Sequence, residues 1–354
     1  MSTHPGIEEA TLRQLASEVF SRWITPRDQA TGRELVCESD VALAVRWLVS
    51  AERLGLGAFG ADLLARETVR LAGHPLSRPE PHRAAGAVTA IDAIDLPGQL
   101  ALAAGVRVLG EGVAANGIYA VSLAHVGALG VLGLAASELA EQGYLAVFCA
   151  NAPAMVAPWG GTAPAIGTNP LAIAAPRADR SPLVIDYATS PITMAALKKA
   201  AVAGAEIADP GGFTAEGAAT TVAAQVRTIA SDSRISSLTG LSIELLARAA
   251  AGAKTSAAGA AAAADAPKGA TNGPSGVRTG LLLALDPQFF GTEFFAEDVA
   301  ELAAQWAGAG GHVPARFDAR EKFEHEQRGP LEISSATLAT LHDFVTGNQV
   351  SNEN

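Results

Sequence analysis

The sequence predicts a mixed α/β fold, in which a helical N-terminal part precedes a region of alternating strands and helices. Two observations indicate this order. Apolar residues first recur at three- and four-residue spacing, and β-rich apolar runs then alternate with helical segments that end at glycine. In addition, the loops between the later strands are too short to hold crossover helices. Part of the sheet is therefore predicted to be antiparallel or mixed.

Composition and charge narrow the class of protein. The 354 residues exceed the usual length of one domain, so two packed lobes or one large mixed fold is expected. The net charge of −11 and the scattered basic residues argue against a nucleic-acid or anionic-membrane surface. No membrane span and no secretory signal are predicted. Cys37 and Cys149 lack metal or redox spacing, so we expect two reduced thiols, no metal site and a cytoplasmic protein.

Three helices are predicted in the N-terminal part. The first covers 7–23, and its apolar positions recur at helical spacing behind an acidic first turn: Leu12, Leu15, Val19 and Phe20. Ser39 and Asp40 are the predicted N-caps of the second, which Gly55 ends. The third is predicted over 61–73 and also ends at a glycine.

The central region supplies the sheet. Strands are predicted within 85–95, 117–125, 145–152, 171–176, 181–189 and 278–290, the last of them central. Helices are predicted over 98–117, 130–144, 191–204, 293–310 and 334–347. Segment 247–276 loses its periodicity, and both an expanded surface loop and a flap over a site fit its composition. Segment 157–176, rich in Gly, Pro and Thr, fits either a ligand cradle or a structural corner.

Four motifs follow one another over 119–190: YAVSLAHVGALG, PWGG, IGTNPLAIAAP and LVIDYATS. Together they resemble the malate/L-lactate dehydrogenase family of NAD(P)-dependent oxidoreductases, which is distinct from the Rossmann-type enzymes of similar name. The family includes reductases of 2-oxo acids and cyclic imino acids, and dehydrogenases of ureidoglycolate and sulfolactate. No GxGxxG fingerprint follows a predicted first strand, in agreement with this resemblance.

The resemblance implies a particular architecture. It implies a mixed, largely antiparallel sheet flanked by helices and a helical domain built from both termini. The predicted domains are 1–80, joined by 325–354, for the helical part and 81–324 for the α/β part, which contains the low-complexity loop 247–276. A homodimer that binds NAD or NADP and a small-molecule substrate is also implied.

Three family contacts differ in this chain. Ala58 and Phe59 stand where a Ser-His pair would supply the proton donor, and Leu63 stands where an arginine helps to bind substrate carboxylate. Ser237 replaces a cofactor-binding lysine. A Pro-Gly-Glu cofactor contact has become the sequence 314–316, Pro-Ala-Arg.

His125 is the predicted acid or base, since the family's equivalent histidine lies at the active site; the alternative is a buried histidine satisfied by a backbone carbonyl. Phe59, Trp159 and Gly160 are the predicted substrate pocket. The resemblance implies cofactor contacts at Pro182, Leu183, Val184, Ile185, Asp186, Tyr187, Ala188, Ser190, Thr168 and Asn169.

Structural roles compete with several of these interpretations. Asp186 could cap a turn, and Thr189 with Ser190 could start the next helix. Lys198 and Lys199 fit solvated lysines better than phosphate ligands. Trp47 and Trp159 fit core or dimer contacts better than stacking platforms. Arg53 and Arg234 could replace the lost cationic contacts.

Two functional hypotheses follow. The first is a divergent NAD(P)-dependent reductase of a 2-oxo acid, cyclic imine or related bulky apolar substrate, with His125 handling the proton. The second is a redox-neutral enzyme for cyclisation, isomerisation or elimination, or a non-catalytic homologue on the same scaffold. The retained motifs favour the first, and the changes at Phe59, Leu63, Ser237 and Ala315 favour the second.

Overall fold

A computed structural model describes residues 6–24, 36–72, 81–93, 96–250, 278–319 and 329–347. These residues form two compact units. Unit 1 is drawn from Met1–Val147, Ile173–Ile185 and Leu282–Asn354, and unit 2 from Phe148–Ala172 and Asp186–Leu281. The domain boundaries predicted from the sequence stay a prediction. Most of the predicted loop 247–276 lies outside the described residues.

The N-terminal helices of unit 1 form as predicted. They are α1 (Glu9–Phe20), α2 (Glu38–Arg53) and α3 (Ala61–Leu71), and a C-terminal helix, Ser335–Thr346, packs against α1 and α3. The four apolar positions predicted for α1 are all buried. Strands β1 (Gly6–Ile7) and β12 (Leu331–Glu332) pair antiparallel. The helical part is therefore built from both ends of the chain, as the resemblance implied.

The start of α2 differs from the prediction. Cys37 is the N-cap, and its backbone N–H donates to the Asp40 carboxylate at 3.0 Å. Asp40 lies inside the first turn, where its buried carboxylate also accepts from Arg107 Nε at 2.8 Å. Ser39 and Asp40 are therefore not the caps. Asp40 instead satisfies the cap's backbone from the third helical position, which sequence spacing alone does not separate from the cap itself.

The main sheet has seven strands in the order β2-β3-β4-β11-β5-β6-β7. Their bounds are β2 Pro81–Ala85, β3 Val88–Asp92, β4 Ile118–Ala124, β5 Leu145–Ala150, β6 Pro170–Ala175, β7 Leu183–Ala188 and β11 Thr279–Leu285. β2 pairs antiparallel with β3, and β3 pairs parallel with β4. The sheet is mixed and largely antiparallel, and β11 lies at its centre, so both predictions are confirmed.

Helices flank this sheet in unit 1. α4 (Gly98–Asn116) packs against β3 and β4, and α5 (Leu132–Ala140) packs against α4. A further helix covers Phe295–Gly308. α4 ends at Gly117, whose φ of 74° is the left-handed region that glycine enters at low cost. A Cβ at Gly117 would also lie 2.4 Å from the Phe289 ring, so the position admits only glycine.

Unit 2 has its own small core. β8 (Gly212–Phe213), β9 (Ala219–Thr220) and β10 (Thr228–Ile229) form a three-stranded sheet in the order β10-β8-β9. The core joins β10 to α6 (Met194–Val202) through buried Val156, Ile166, Leu197, Ala223, Val226 and Ile229. α7 (Arg234–Ala250) extends into the start of the predicted low-complexity loop.

The N-cap of α6 is Thr193, whose hydroxyl accepts from the Ala196 N–H. Thr189 and Ser190 therefore do not start this helix, which corrects that alternative. The Thr189 hydroxyl donates to the Thr168 and Asn169 carbonyls, and the Ser190 hydroxyl donates to the Ile192 carbonyl. The capping preference of Ser and Thr indicates a nearby helix start, and here the third hydroxyl residue of the run is used.

The two tryptophans weighed from the sequence have different environments. Trp47 is buried, and its Nε1–H donates to the Glu138 carboxylate at 3.0 Å, so it belongs to the core. Trp159 is 55% exposed and is not a core residue. Across the described ranges, no helix is both long and apolar enough to cross a membrane.

Candidate active site

His125 lies at the end of strand β4, next to Asp92 at the end of β3. These strands are parallel, and the register pairs Asp92 with Ala124, the residue before His125. Asp92 and His125 therefore lie side by side at the carboxyl ends of the two strands. His125 Nδ1 lies 2.9 Å from Asp92 Oδ1. An aspartate that accepts from Nδ1–H fixes the tautomer and leaves Nε2 to exchange a proton. The pair has the form of an oriented acid–base group.

The backbone at His125 has φ 54°, a left-handed conformation that is uncommon outside glycine. Its side chain is 30% exposed, so the ring is not the fully buried histidine of the alternative interpretation. Such a conformation persists only where the surrounding structure fixes it, so contacts of the loop that follows His125 are expected to hold its backbone.

Asp92 was not singled out by sequence reasoning. The signal was present, since an acidic residue ends a strand whose apolar positions alternate. The sequence did not show that this strand is the parallel neighbour of the strand that carries His125, and that pairing brings the carboxylate to the ring.

The loop 125–130 is bordered by the segment that carries Phe59. A Cβ at Gly130 would lie 3.8 Å from both the Phe59 carbonyl oxygen and Leu63 Cδ2. Gln99 Nε2 donates to the Phe59 carbonyl at 3.1 Å. Phe59 and the His125 loop therefore belong to one neighbourhood of unit 1. Leu63 is 2% exposed and forms part of the core, so its side chain does not line an open pocket.

Glu52 packs against the turn that carries Phe59. Its carboxylate accepts from the Ala61 N–H at 2.7 Å, which caps α3, and Cβ atoms at Gly57 and Gly60 would contact the same carboxylate. Burial raises the pKa of Glu52; the Ala61 hydrogen bond opposes this shift and the charge of Asp62 adds to it. Phe59 and Ala58 bring no titratable group to this turn.

In unit 2, the PWGG turn lies open. Trp159 is exposed, and a Cβ at Gly160, whose φ is 84°, would meet no atom within 4 Å. The Trp159 N–H donates to the Ser237 hydroxyl at 3.0 Å, so the residue in the lysine position holds this turn. The main chain of the turn is accessible.

The GTNP turn of unit 2 is held by a buried polar network. Asn169 is fully buried at φ 33°; its Oδ1 accepts from the Ala152 N–H, and its Nδ2 donates to the Gly240 carbonyl and the Glu244 carboxylate. Thr168 joins through its carbonyl, which accepts from Thr189. The side chain of Asn169 is thus fully used inside the unit.

Strand β7 carries most of the predicted cofactor contacts and lies at one end of the main sheet. Ile185 and Tyr187 are exposed by 38% and 42%, while Val184 is buried. Pro182, Leu183, Asp186 and Ala188 are half-buried, and Ser190 is buried. The alternation leaves two apolar side chains of one face open.

The four cationic side chains considered for cofactor binding differ in exposure and in bonding. Arg53 is tied to Glu9 at 2.8 Å and to the Gly329 carbonyl, so it supports the helical part. Lys198 and Lys199 are exposed, as expected for solvated lysines. Arg234, at the start of α7, is exposed and forms no ion pair with another described residue.

The two cysteines are free thiols, and burial raises the pKa of Cys149 to about 11, although a hydrogen bond with the backbone of Leu281 lowers it. No group of three or more His, Cys, Asp or Glu side chains is placed to hold a metal ion anywhere in the part of the chain that the structure describes.

Comparison with known proteins places the chain in a family. The family model for malate/L-lactate dehydrogenase matches residues 10–342. The chain therefore belongs to the malate/L-lactate dehydrogenase family.

Individual relatives agree with this. The chain is 29% identical to (2R)-3-sulfolactate dehydrogenase (NADP(+)) of Chromohalobacter salexigens over 92% of its length and 98% of that protein. It is 30% identical to Delta(1)-pyrroline-2-carboxylate reductase 1 of Burkholderia ambifaria, over 75% of its length and 79% of that protein. The solved structure of delta1-piperideine-2-carboxylate reductase from Pseudomonas syringae pvar. tomato matches with a TM-score of 0.74 at 23% identity, covering 96% of this chain and 99% of that one.

Proposed function

We propose that the protein is an NAD(P)-dependent reductase or dehydrogenase of a 2-oxo acid, a cyclic imine or a related substrate. The observation that carries the proposal is the His125–Asp92 pair, 2.9 Å apart at the ends of two parallel strands. The named relatives, which include an NADP-dependent sulfolactate dehydrogenase and a pyrroline-carboxylate reductase, support the reaction class.

In this proposal His125 exchanges the proton of the reaction. Asp92 accepts from Nδ1–H, so the doubly protonated ring gives its Nε2 proton to the substrate oxygen or imine nitrogen during reduction, and the neutral ring takes a proton at Nε2 in the reverse direction. Nicotinamide, when bound, supplies or accepts the hydride at the neighbouring carbon. Phe59 lies in the segment that borders the His125 loop, at the position where the family carries a histidine, and an apolar residue there favours a bulkier and more apolar substrate.

The residues of unit 2 fit a nicotinamide dinucleotide. Trp159 and Tyr187 present exposed rings for stacking, the main chain at Gly160 is open, and Arg234 is a cation free to meet phosphate. Asn169 and Thr168 shape the adjoining turn through hydrogen bonds. We therefore assign cofactor binding to β7, Ser190 and these turns, with NAD and NADP both open, and we propose a cytoplasmic homodimer.

One observation favours the second candidate, a redox-neutral enzyme or non-catalytic homologue. The Ser237 hydroxyl, in place of the lysine, is engaged by the Trp159 N–H and carries no charge for a cofactor. This candidate predicts that neither NADH nor NADPH binds.

The deciding experiment is a titration of the protein with NADH and NADPH, followed by nicotinamide fluorescence and thermal stabilisation. A ligand that binds only the folded state raises its stability by mass action. We expect micromolar binding of one cofactor, followed by its oxidation with a bulky imine or keto acid. No binding of either at millimolar concentration would reject the reductase and leave the second candidate.

A further inference from the structure

We propose that Glu67 and Arg70 of α3 are positioning residues for His125: they hold the backbone on both sides of the His125–Asp92 pair. Glu67 is 4% exposed, and three backbone groups contact it or its partner Arg70: the Gly98 N–H, the Ala128 N–H and the Leu96 carbonyl. The catalytic consequence rests on the proposed function, whereas the placement of His125 itself does not.

The first contact is with the start of α4. Glu67 Oε2 accepts from the Gly98 N–H at 3.1 Å. The N-cap of α4 is Pro97, which has no side-chain acceptor, so this N–H would otherwise be unsatisfied. A carboxylate at a helix N-terminus is also favoured by the helix dipole. Glu67 therefore caps α4 from another helix.

The second contact is with the loop that follows His125. Glu67 Oε1 lies 3.5 Å from the Ala128 nitrogen, and a Cβ at Gly127 would lie 1.9 Å from Oε2. A Cβ at Gly98 would lie 2.3 Å from the Ala128 carbonyl oxygen. Carboxylate, loop and helix start are thus packed without spare room, and the glycine two residues after His125 is required by Glu67.

Arg70 extends the contact to the Asp92 side. Its Nη2 donates to Glu67 Oε2 and to the Leu96 carbonyl, both at 2.8 Å. The Leu96 N–H donates to the Ala93 carbonyl at 3.1 Å, and the Ala93 N–H donates to the Ala124 carbonyl at 2.8 Å. Ala93 follows Asp92 and Ala124 precedes His125, so this series of bonds ends at the backbone of the pair.

These contacts explain how a left-handed histidine is maintained. Sparsely populated backbone conformations persist only where the surroundings over-determine them. Three segments meet at one buried carboxylate directly beyond His125, which meets this requirement. Loss of the ion pair should let the loop relax and move the imidazole away from Asp92.

The test is Glu67→Gln in the full chain, followed by the NMR signal of the His125 imidazole, assigned by its loss in His125→Gln. The amide still accepts from the Gly98 N–H but loses the ion pair with Arg70. We expect the His125 signal to shift or broaden, and kcat to fall about ten- to a hundred-fold with KM little changed, as misplacement of a reacting group does.

Glu138→Gln is the matched control. Glu138 is also a buried carboxylate of unit 1 that pairs with an arginine, Arg46 at 2.5 Å, and accepts a second hydrogen bond, from Trp47. It should lose comparable stability and leave the His125 signal in place. If Glu67→Gln does not fold, Arg70→Lys, at a side chain 37% exposed, replaces it with the same expectation.

An unchanged His125 signal in a folded Glu67 or Arg70 variant would overturn the proposal. So would an equal shift in Glu138→Gln. If His125→Gln retains full turnover while Glu67→Gln still displaces the His125 signal, the positioning role stands and the proposed acid–base function fails. The spectrum needs no substrate, so the two failures are distinguishable.

Discussion

His125 in unit 1 and Asn169 in unit 2 both have a left-handed backbone, with φ of 54° and 33°, yet their side chains are used in opposite ways. The ring of His125 is 30% exposed and binds Asp92 through one nitrogen. The amide of Asn169 is fully buried, and both its oxygen and its nitrogen are bonded within the unit. An unusual backbone conformation therefore presents a reactive group in one unit and fixes the shape of a turn in the other.

The largest effect is expected when the reactive residue of the two, His125, is replaced. His125→Gln should lower turnover about 10²- to 10⁴-fold, because the proton of the reaction loses its donor. Cofactor binding should be unchanged, which fluorescence titration checks against steady-state kinetics. His342→Gln, at an exposed histidine of the C-terminal helix, is the control. Equal activity of the two variants would remove His125 from the chemistry.

Asn169→Ala tests the structural role of the second left-handed residue. The change leaves the Ala152 N–H without its acceptor, removes the bonds to the Gly240 carbonyl and to Glu244 Oε2, and puts alanine at a positive φ. We expect a loss of about 3 kcal/mol or more in the free energy of unfolding, measured with denaturant.

Asn116→Ala is the matched control for that experiment, since its exposed amide makes a single bond, to the Gly112 carbonyl, and its loss should cost below about 0.5 kcal/mol. Equal costs at the two asparagines would contradict the assignment of Asn169 to a buried network. The NMR signal of His125 should stay in place in both variants.

Ser237→Lys adds a positive charge to unit 2 and tests whether the turn at Trp159 contacts cofactor. If the turn at Trp159 contacts cofactor, a lysine at 237 should tighten NADH or NADPH binding about ten-fold, the equivalent of a charge-assisted hydrogen bond of roughly 1.5 kcal/mol. Ser242→Lys adds the same charge at an exposed position of the same helix and should change Kd far less. Equal tightening in both variants would indicate long-range attraction only.

The smallest effect concerns the pH dependence of stability in the helical part. Burial raises the pKa of Glu52 above 4.5, so the stability contributed by its protonated form is lost as pH rises through the folded-state pKa. Glu52→Gln should remove this loss. Wild type should therefore weaken relative to the variant as pH rises through that pKa, as measured by denaturant unfolding across pH.

Glu9 provides a control of opposite sign. Burial acts to raise its pKa, but hydrogen bonds and charge from Arg53 and Arg13 lower it below 4.5 overall. The stability it contributes is present at neutral pH and is lost as pH falls through the folded-state pKa. Glu9→Gln should thus weaken the protein near pH 7 and have little effect at low pH. The same sign for both variants would contradict the assigned environments.

The sequence predicted helices and strands most reliably where one face of an element is buried. The apolar positions of α1 and the glycine end of α4 set those helices without reference to the rest of the chain. Caps were predicted less well. The N-cap of α2 is Cys37 where Ser39 and Asp40 were predicted, and the N-cap of α6 is Thr193 where Thr189 with Ser190 was the alternative weighed. Several neighbouring side chains could each satisfy the first backbone N–H groups.

Periodicity and local motifs are properties of consecutive residues, so the chain alone was enough to predict the mixed α/β class, to show the resemblance to the family and to indicate His125 as a candidate. Only the tertiary structure decided that Asp92 is the partner of that histidine, that Leu63 lies in the core, and that Glu67 and Arg70 meet the loop behind the ring. These contacts join residues about 30 to 60 positions apart. Strand pairing and helix packing bring such residues together, and neither is written in local sequence.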